Sequence, residues 1–343
     1  MIPLVIAAKN EERALGACLD SLLAAAAFAE SHAGLRFDPV VVLDDCTDAT
    51  GAVAASRGVR TVVSSGGKVE AQRRGLAPGA PFHVFADADI AVEKETLAAL
   101  ARAMDDPSVE VACPPRRPLP PQRRTPIARA IHVYNAHRGF SAQRTWFNGK
   151  LFAIRSWAVP TRAELAPRLA RLPRDRFTQA HLGLRVDDIY LSRTIAREHG
   201  PGAMRETDEG TLWFRPPETL RGMYRYFRRM QMEVERLDKI FPETRATHEK
   251  HGIRRTDPAA VARATKEERQ LFQLFQAAVA GCKIFYAAER AFYLHVARSP
   301  CADWTPIAET KRPIIDADLK DEHSNKRGIR IESGKVTPGR RAG

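Results

Sequence analysis

The stretch FHVFADADIAV, residues 82–92, decides how the first half of the chain folds. Its apolar run is typical of a buried strand, and it ends by placing Asp87 and Asp89 one residue apart. Positions i and i+2 of an extended strand lie on the same face, so we expect both carboxylates on one side of the chain. Two like charges held that close repel each other unless a cation lies between them. The stretch therefore predicts either a divalent-cation site or a pair of solvated loop carboxylates.

The segments before this stretch alternate between strand-like and helix-like patterns. Each of three apolar, strand-like runs is followed by a segment with helical spacing: IPLVIAA, VVVLDD and VRTVVSS. This β-α order predicts an α/β fold, a mostly parallel sheet flanked by helices on both faces. Ligands of such sheets bind beyond the C-terminal ends of the strands. The acidic clusters of this chain follow strand ends, so we expect the functional site at that edge.

Composition and charge narrow the class of protein. Of the 343 residues, 44% are apolar and 28% are charged, which is typical of a globular chain and excludes a disordered one. The net charge of +13 favours an anionic partner, such as a nucleotide, an acidic membrane surface or nucleic acid. A basic protein without such a partner would have the same composition. No nucleic-acid-binding motif is recognisable, so nucleic acid is not an expected partner.

Cysteine usage and hydropathy bear on the compartment. The five cysteines are scattered and form no CxxC pair, which argues against a disulfide framework or zinc site and favours a reducing compartment. The N-terminal MIPLVIAAKNEE indicates a first strand and not a signal peptide. The best apolar segment near the C-terminus, QLFQLFQAAVAGC, is short for a bilayer span and carries glutamines. We expect a cytoplasmic protein, with peripheral contact to the inner membrane face as the alternative.

Changes of pattern divide the chain into three parts. Residues 1–215 carry the alternating α/β pattern, residues 216–310 are almost wholly helical, and residues 311–343 predict a disordered basic tail. Within the first part, PPRRPLPPQRRTP (residues 114–126) predicts an exposed loop, either a solvated connector or a basic flap over an anionic ligand. The helical part contains one helix rich in arginine and aromatic residues and a second over about residues 266–298.

Six motifs in order, through about two thirds of the chain, resemble the family 2 glycosyltransferases of the GT-A fold. They are N-E-E at residues 10–12, the acidic turn DDCTDAT at 44–50, the G-K-x-x-A helix at 67–75, D-x-D at 87–89, the glycine strand NGKLFAIR at 148–155 and DDIYL at 187–191. Two positions depart from the family pattern: Cys46 replaces a small residue, and Asp187 stands where Glu is usual. The family's downstream Q-x-x-R-W motif is absent, and the segment RGMYRYFRR, which contains Arg225, matches it only in part.

The resemblance implies metal-dependent, inverting transfer of a sugar from a nucleotide diphosphate sugar, with a UDP-sugar as the first expectation, to an acceptor hydroxyl. In that reading Glu11 and Asp45 hold the base and ribose, and Lys68 helps to place or neutralise the nucleotide. Asp87 contacts the ribose or sugar. Asp89, with Asp87, ligates the Mg²⁺ or Mn²⁺ that bridges the diphosphate.

The resemblance further implies that Asp188 is the general base, next to Asp187, whose negative charge would raise the proton affinity of its neighbour. A structural alternative exists, because acidic residues also favour the first turn of a helix. Arg225 and the arginines around it would close over the diphosphate or lie on anionic lipid, or they form the solvated face of an amphipathic helix.

Two other functions remain open at this level. A sugar-phosphate nucleotidyltransferase has a similar α/β sheet and acidic metal site, but it would carry a glycine-rich loop where NEER stands. A basic protein that binds membrane surfaces without catalysis would use the arginine-rich helices. The acceptor is unidentified: a lipid carrier, a metabolite or a saccharide. Residues 216–310 would form the acceptor side or a contact with the membrane surface.

Overall fold

The computed structural model of the chain describes residues 1–141, 146–172, 187–252, 256–297, 307–315 and 318–319. These residues contain the following strands: β1 (Ile2–Ala8), β2 (Phe37–Asp44), β3 (Arg60–Ser64), β4 (His83–Asp87), β5 (Ile90–Val92), β6 (Val111–Cys113), β7 (Arg116–Pro118), β8 (Leu151–Ile154), β9 (Met204–Glu206) and β10 (Leu212–Phe214). They also contain the helices α1 (Leu15–Ala33), α2 (Thr50–Ala55), α3 (Lys68–Arg74), α4 (Thr96–Met104), α5 (Pro126–Ala136), α6 (Arg162–Leu169), α7 (Asp187–Glu198), α8 (Leu220–Ile240), α9 (Arg245–Thr247), α10 (Pro258–Arg263) and α11 (Lys266–His295).

Seven strands form the central sheet in the order β3-β2-β1-β4-β8-β6-β9. The pairs β3–β2, β2–β1, β1–β4 and β6–β9 are parallel, which confirms the predicted mostly parallel α/β sheet. Strand β8 is antiparallel to both of its neighbours, β4 and β6. Because β8 begins where β4 ends, the residues just before β8 lie beside Asp87. The Asp87 backbone N–H donates to the Lys150 carbonyl oxygen at 2.7 Å.

Both faces of the sheet are covered, which explains why β1 is apolar at nearly every position. Leu4 and Ile6 pack in the cluster that contains α1 and α4, whereas Val5 packs in the cluster on the opposite face with residues of α3, α7 and α8. All three side chains are fully buried. The sheet is therefore a rigid layer whose C-terminal edge presents the loops that carry the acidic motifs.

A second sheet, in the order β5-β10-β7, corrects the expectation for residues 114–126. This segment is not an exposed loop throughout, since β7 lies within it and pairs in parallel with β10. Leu119, directly after β7, is only 1% exposed and packs with Trp213. The prolines and arginines of the segment favour a loop, so its local sequence did not indicate a strand. The partner of this short strand, β10, lies far along the chain.

Helix α11 corrects a second expectation. The apolar segment that starts at Gln270 continues past Cys282 to His295, so this helix is long and apolar enough to cross a bilayer by length and composition alone. It is the one helix of the described ranges that passes this test, and little of it is buried. Large apolar side chains on its outer surface are exposed, including Ile284 at 74% and Phe285 at 61%.

The start of the expected disordered tail is packed against the α/β domain. Ile314 is buried beside Trp213, and the Arg215 guanidinium bonds to the Asp318 carboxylate at 2.6 Å. The expectation is therefore wrong for residues 311–315 and 318–319. Residues 316–317 and 320–343 lie outside the described part of the chain.

Candidate active site

The loops after β1 and β2 are joined by hydrogen bonds at the C-terminal edge of the sheet. The Glu11 backbone N–H donates to Thr50 Oγ1 at 2.8 Å, and the Thr47 N–H donates to Asn10 Oδ1 at 2.8 Å. These bonds link the N-E-E segment to the acidic turn that follows β2. The two motifs form one unit, because the parallel strands that precede them are neighbours in the sheet.

Glu11 is a buried carboxylate at the wall of a cavity of about 620 Å³. Its side chain is only 8% exposed, and Oε1 contacts the Lys311 ammonium. Its Oε2 is buried and has no hydrogen-bond partner among the described residues. Arg225 lines the same cavity. The structure therefore brings together two of the residues that were expected to hold the nucleotide, and among the described residues one Glu11 oxygen is buried without a hydrogen-bond donor.

Asp45 occupies a different position from Glu11. It has a left-handed backbone conformation, with φ of 47°, and lines a second cavity of about 280 Å³. Its carboxylate lies 3.6 Å from the Lys9 ammonium, and its side chain is 56% exposed. The neighbouring Asp44 is buried and accepts the Gly67 N–H at 2.9 Å. Asp44 therefore supports the loops, whereas Asp45 is accessible to a ligand.

The D-x-D carboxylates lie within a chain of alternating charges. Asp87 Oδ1 is 2.8 Å from Lys68 Nζ, and Asp87 Oδ2 is 3.5 Å from Lys150 Nζ. The Lys150 ammonium also lies 3.1 Å from Asp89 Oδ1, so one cation contacts both carboxylates. The repulsion that the sequence predicts between Asp87 and Asp89 is relieved here by a lysine.

Burial and neighbouring charges act in opposite directions on these groups. Burial raises the pKa of Asp87, but the adjacent Lys68 and Lys150 outweigh it and hold the pKa below its ordinary value. Burial likewise lowers the pKa of Lys68, and the charges of Asp187 and Asp87 more than reverse the effect. The pKa of Lys150 is raised in the same way by Asp89 and Asp87. Both ammonium groups therefore stay charged at physiological pH, at the place where an anionic ligand would sit.

The first turn of α7 adds two carboxylates with different surroundings. Asp187 is 1% exposed, accepts a hydrogen bond from Gln72 Nε2 at 2.7 Å and lies 3.4 Å from Lys68 Nζ. Asp188 lies against Gly149, where an added methyl group would come within 2.6 Å of Asp188 Cβ. Burial, and next the charge of Asp187, raise the pKa of Asp188 to about 6. Asp187 is thus a partner of Lys68, and Asp188 is the carboxylate with elevated proton affinity.

The residues expected from the sequence fall into three groups. Glu11 and Arg225 line the larger cavity, Asp45 lines the smaller one, and the others form one cluster, comprising Lys68, Asp87, Asp89, Asp187 and Asp188.

Three further residues contact the expected site residues, and the sequence indicated no role for them: Lys150, Gln72 and Lys311. Lys150 carried a signal, because it follows Gly149 in the glycine-strand motif. Gln72 lies inside the G-K-x-x-A helix motif, but nothing in that motif indicated a bond to Asp187. No local pattern pointed to Lys311, which contacts Glu11 from the opposite end of the chain.

The D-x-D carboxylates fit a divalent cation that a ligand helps to hold. No cluster of three or more metal-ligating side chains occurs in the described part of the chain. Mg²⁺ and similar cations need only one or two carboxylates when substrate phosphates and water complete the shell. Asp87 and Asp89 already direct oxygens at a single cation, the Lys150 ammonium. These residues fit a metal held jointly with a diphosphate, and not a cage built by the protein alone.

Comparison with solved structures shows a partial similarity. Glucosyl-3-phosphoglycerate synthase from Mycobacterium tuberculosis in complex with Mn²⁺, UDP and phosphoglyceric acid is 18% identical, with a TM-score of 0.44, covering 70% of this chain and 78% of that one. The complex of the same enzyme with Mg²⁺ and UDP is also 18% identical, with a TM-score of 0.43, covering 70% and 79%. A search of curated proteins finds no significant match.

The sequence match to a family is more direct. The model of glycosyl transferase family 2 matches residues 4–163, a range that contains the N-E-E segment, the acidic turn, the G-K-x-x-A helix, the D-x-D and the glycine strand. The motif that contains Asp188 lies beyond this range. Residues 4–163 of this chain are therefore similar in sequence to glycosyl transferase family 2.

Proposed function

We propose that this chain transfers a sugar from a nucleotide diphosphate sugar, a UDP-sugar first, to an acceptor hydroxyl with inversion at the anomeric carbon, and that Asp188 is the general base. One observation carries the proposal. The antiparallel strand β8 brings Gly149 and Lys150 to the end of β4, so that the D-x-D carboxylates, two charged lysines and Asp188 converge on one side of the sheet.

The leaving group accounts for the cations of the cluster. Cleavage of the bond between the sugar and phosphate leaves a nucleoside diphosphate with additional negative charge, which nearby cations stabilise as it develops. Lys68 and Lys150 remain charged at physiological pH and lie within one cluster with Asp87. Asp89 and Asp87 would hold Mg²⁺ or Mn²⁺, which when bound supplies Lewis-acid stabilisation of the diphosphate oxygens.

Asp188 has the properties that a general base requires. A base works best when its pKa lies near the operating pH, since it must be ionised and still have appreciable proton affinity. A carboxyl group with a pKa of about 6 meets both conditions at neutral pH. In the proposed reaction, its carboxylate accepts the proton of the acceptor hydroxyl while the hydroxyl oxygen attacks the anomeric carbon. A single displacement with one base inverts that carbon.

Asp187 has a supporting role in this proposal. Its carboxylate is bonded to Gln72 and paired with Lys68, so neither oxygen faces an acceptor freely. It holds the Lys68 ammonium between itself and Asp87, and its charge raises the proton affinity of Asp188. The buried aspartate therefore positions Lys68 and tunes the base without touching the reacting atoms.

Calorimetric titration with UDP, with and without Mn²⁺, tests the donor site. These are a nucleotide and a metal that the similar solved structures contain. We expect UDP to bind more tightly with Mn²⁺, and Asp89→Asn to remove most of that gain. Asp20→Asn is the matched control, because Asp20 is 61% exposed and pairs with Arg57 away from the cluster. A UDP affinity that changes neither on adding Mn²⁺ nor in Asp89→Asn would count against the proposal.

Turnover is tested with a panel of nucleotide sugars, by following the slow release of nucleoside diphosphate without acceptor. We expect one donor to be hydrolysed and Asp188→Asn to abolish its hydrolysis while leaving UDP affinity within about twofold. Release of pyrophosphate from a nucleoside triphosphate and a sugar phosphate would instead support a nucleotidyltransferase. The acceptor, whether lipid carrier, metabolite or saccharide, is then sought with the identified donor.

Contact with an anionic membrane surface stays a prediction. The feature that motivates it is the exposed apolar surface of α11, with Ile284, Phe285 and Phe292 more than half exposed. Amphipathic helices that lie on membranes bury such side chains at the lipid boundary. Sedimentation with vesicles of anionic lipid tests it: the full chain should sediment with the vesicles, and Ile284→Glu should stay in solution.

A further inference from the structure

A C-terminal segment, residues 307–315 with 318–319 and here called the strap, is anchored on the α/β domain. Ile314 is 6% exposed and packs with Trp213 and Leu119. Arg215, whose side chain is 3% exposed, bonds to the Asp318 carboxylate at 2.6 Å and to the Pro313 carbonyl oxygen at 3.2 Å. These contacts are buried and specific, so the strap is part of the folded domain.

A second anchor lies at the beginning of α8. Glu309 Oε1 accepts the backbone N–H groups of Glu218 at 3.1 Å and Thr219 at 3.3 Å, and the Thr219 hydroxyl at 3.1 Å. A carboxylate at this end of a helix is stabilised by the helix dipole and satisfies unpaired N–H groups. Gly222 leaves the space for it, because any side chain there would overlap the Glu309 carboxylate. The strap is thus held on both sides of Lys311.

Between these anchors, Lys311 reaches the most buried carboxylate of the larger cavity. Its ammonium contacts Glu11 Oε1, while Oε2 of the same carboxylate has no partner among the described residues. Other basic side chains also line the cavity: Arg123, Arg221, Arg225 and Arg312. A cavity of about 620 Å³ with a buried carboxylate and several cations suits a ligand that has both hydroxyl and phosphate groups.

We propose that Lys311 gates the donor site: it occupies the Glu11 carboxylate until a nucleoside diphosphate displaces it. The inference rests on the proposed function and on the role that the family resemblance implies for Glu11, which with Asp45 holds the base and ribose of the donor. A ribose and an ammonium compete for the same carboxylate, whose Oε1 the Lys311 ammonium already contacts. Lysine has a flexible four-carbon stem, so its ammonium can leave Glu11 by rotation of the side chain while the anchors at Glu309 and Ile314 stay in place. The donor must therefore displace an intramolecular competitor that is always present.

Titration of UDP and of uridine into Lys311→Met, in the presence of Mn²⁺, tests the gate. Methionine keeps most of the apolar stem and removes the charge. We expect both ligands to bind about three to ten times more tightly, the effect of removing one partly buried ion pair from the unliganded state. Lys94→Met is the matched control, because Lys94 is 64% exposed and lies outside the cavity. Affinity that is unchanged or weaker in Lys311→Met overturns the inference.

A double variant links the effect to Glu11. In a Glu11→Gln background the carboxylate that Lys311 occupies is absent, so adding Lys311→Met should leave UDP affinity unchanged. An equal gain in both backgrounds would overturn the competition. Wild-type protein that fails to bind UDP at all would refute the proposed function itself, whereas wild-type binding with no effect of Lys311→Met refutes the gate alone.

A measurement on the wild-type protein does not depend on any variant. Brief treatment with an amine-acetylating reagent, followed by mass spectrometry, reports how accessible each lysine is. Saturating UDP with Mn²⁺ should increase the labelling of Lys311 at least twofold, because its ammonium leaves the carboxylate. Labelling of Lys94 should not change. Labelling of Lys311 that stays constant or falls on UDP binding would show that the donor does not displace it.

Discussion

Replacement of Gly149 by alanine tests whether this glycine sets the position of Asp188, the proposed general base. A methyl group on Gly149 would lie 2.6 Å from Asp188 Cβ and 2.5 Å from Asp188 Oδ2. Carbon atoms pack without repulsion from about 3.5 Å, so Asp188 must retreat by roughly 1 Å. A displacement of that size at a catalytic group costs about 100-fold in rate, or about 2.7 kcal/mol of transition-state stabilisation.

The assay is donor hydrolysis, with turnover and UDP affinity measured separately. We expect Gly149→Ala to lower kcat by about 100-fold and to change the Kd for UDP by less than about threefold, because Glu11 and Asp45 lie in other loops. Gly281→Ala is the matched control. An added methyl group there meets no atom within 4 Å, and the position lies inside helix α11, where alanine is favoured over glycine.

Two outcomes would contradict this expectation. A Gly149→Ala protein that binds UDP and turns over at the wild-type rate would show that Asp188 is not the base, or that Gly149 does not control its position. A protein that loses UDP binding as well would show that the substitution displaces Lys68 and not only Asp188. Lys68 Nζ donates to the Gly149 carbonyl oxygen at 3.2 Å, so a shift of Gly149 would move it. Circular dichroism and a thermal melt show whether the variant is folded.

Four other outcomes follow from charged residues, three of them at the site and one in the core. Lys68→Met leaves the carboxylates of Asp87 and Asp187 without their shared cation, so urea unfolding should show that the free energy of unfolding falls by about 2–3 kcal/mol. Lys9→Met is the control: its side chain is 51% exposed, so the free energy of unfolding should fall by less than about 1 kcal/mol. The pKa of Asp188, raised from 3.8 to about 6, predicts that kcat/KM rises with pH through about 6 and then levels off. Because folding raises the pKa of Asp188 from 3.8 to about 6, the protonated carboxyl group favours the folded state. This contribution is complete below pH 3.8 and is lost as pH rises through about 6. Asp188→Asn, which stays neutral, should therefore be more stable than wild type at pH 7.5, by up to about 3 kcal/mol. Arg193 is fully buried on α7 and bonds to Asp238 at 2.7 Å, so Arg193→Met should lower the Tm by about 5–10 °C, and adding Asp238→Leu should restore part of it.

Part of the site could be read from the chain directly. The alternation of apolar runs with helical spacing depends on residues close in sequence, and it predicts β1 to β4 and the helices between them. The same local patterns place Glu11, Asp45 and Asp87 after strands, because parallel strands end at one edge of a sheet. The segment around Asp187 was identified by its resemblance to a family motif, and its two acidic residues also favour the start of a helix.

Other features depend on which distant segments pair, and no local pattern contains that information. The short strand β7 was hidden by prolines because its partner, β10, lies about a hundred residues further along the chain. Lys150 contacts Asp87 and Asp89 only because β8 runs antiparallel to β4 and begins where that strand ends.

The C-terminal residues show the same division most clearly. Their composition is polar and charged, which on its own predicts disorder. A few contacts decide otherwise for the strap: one buried isoleucine, one buried arginine–aspartate pair and a carboxylate at the start of α8. Near-neighbour patterns in the sequence thus suffice to predict strands β1 to β4 and the acidic edge where they end. The cations that neutralise that edge follow from the folded chain, because Lys150 and Lys311 reach it through strand pairing and through the return of the C-terminal segment.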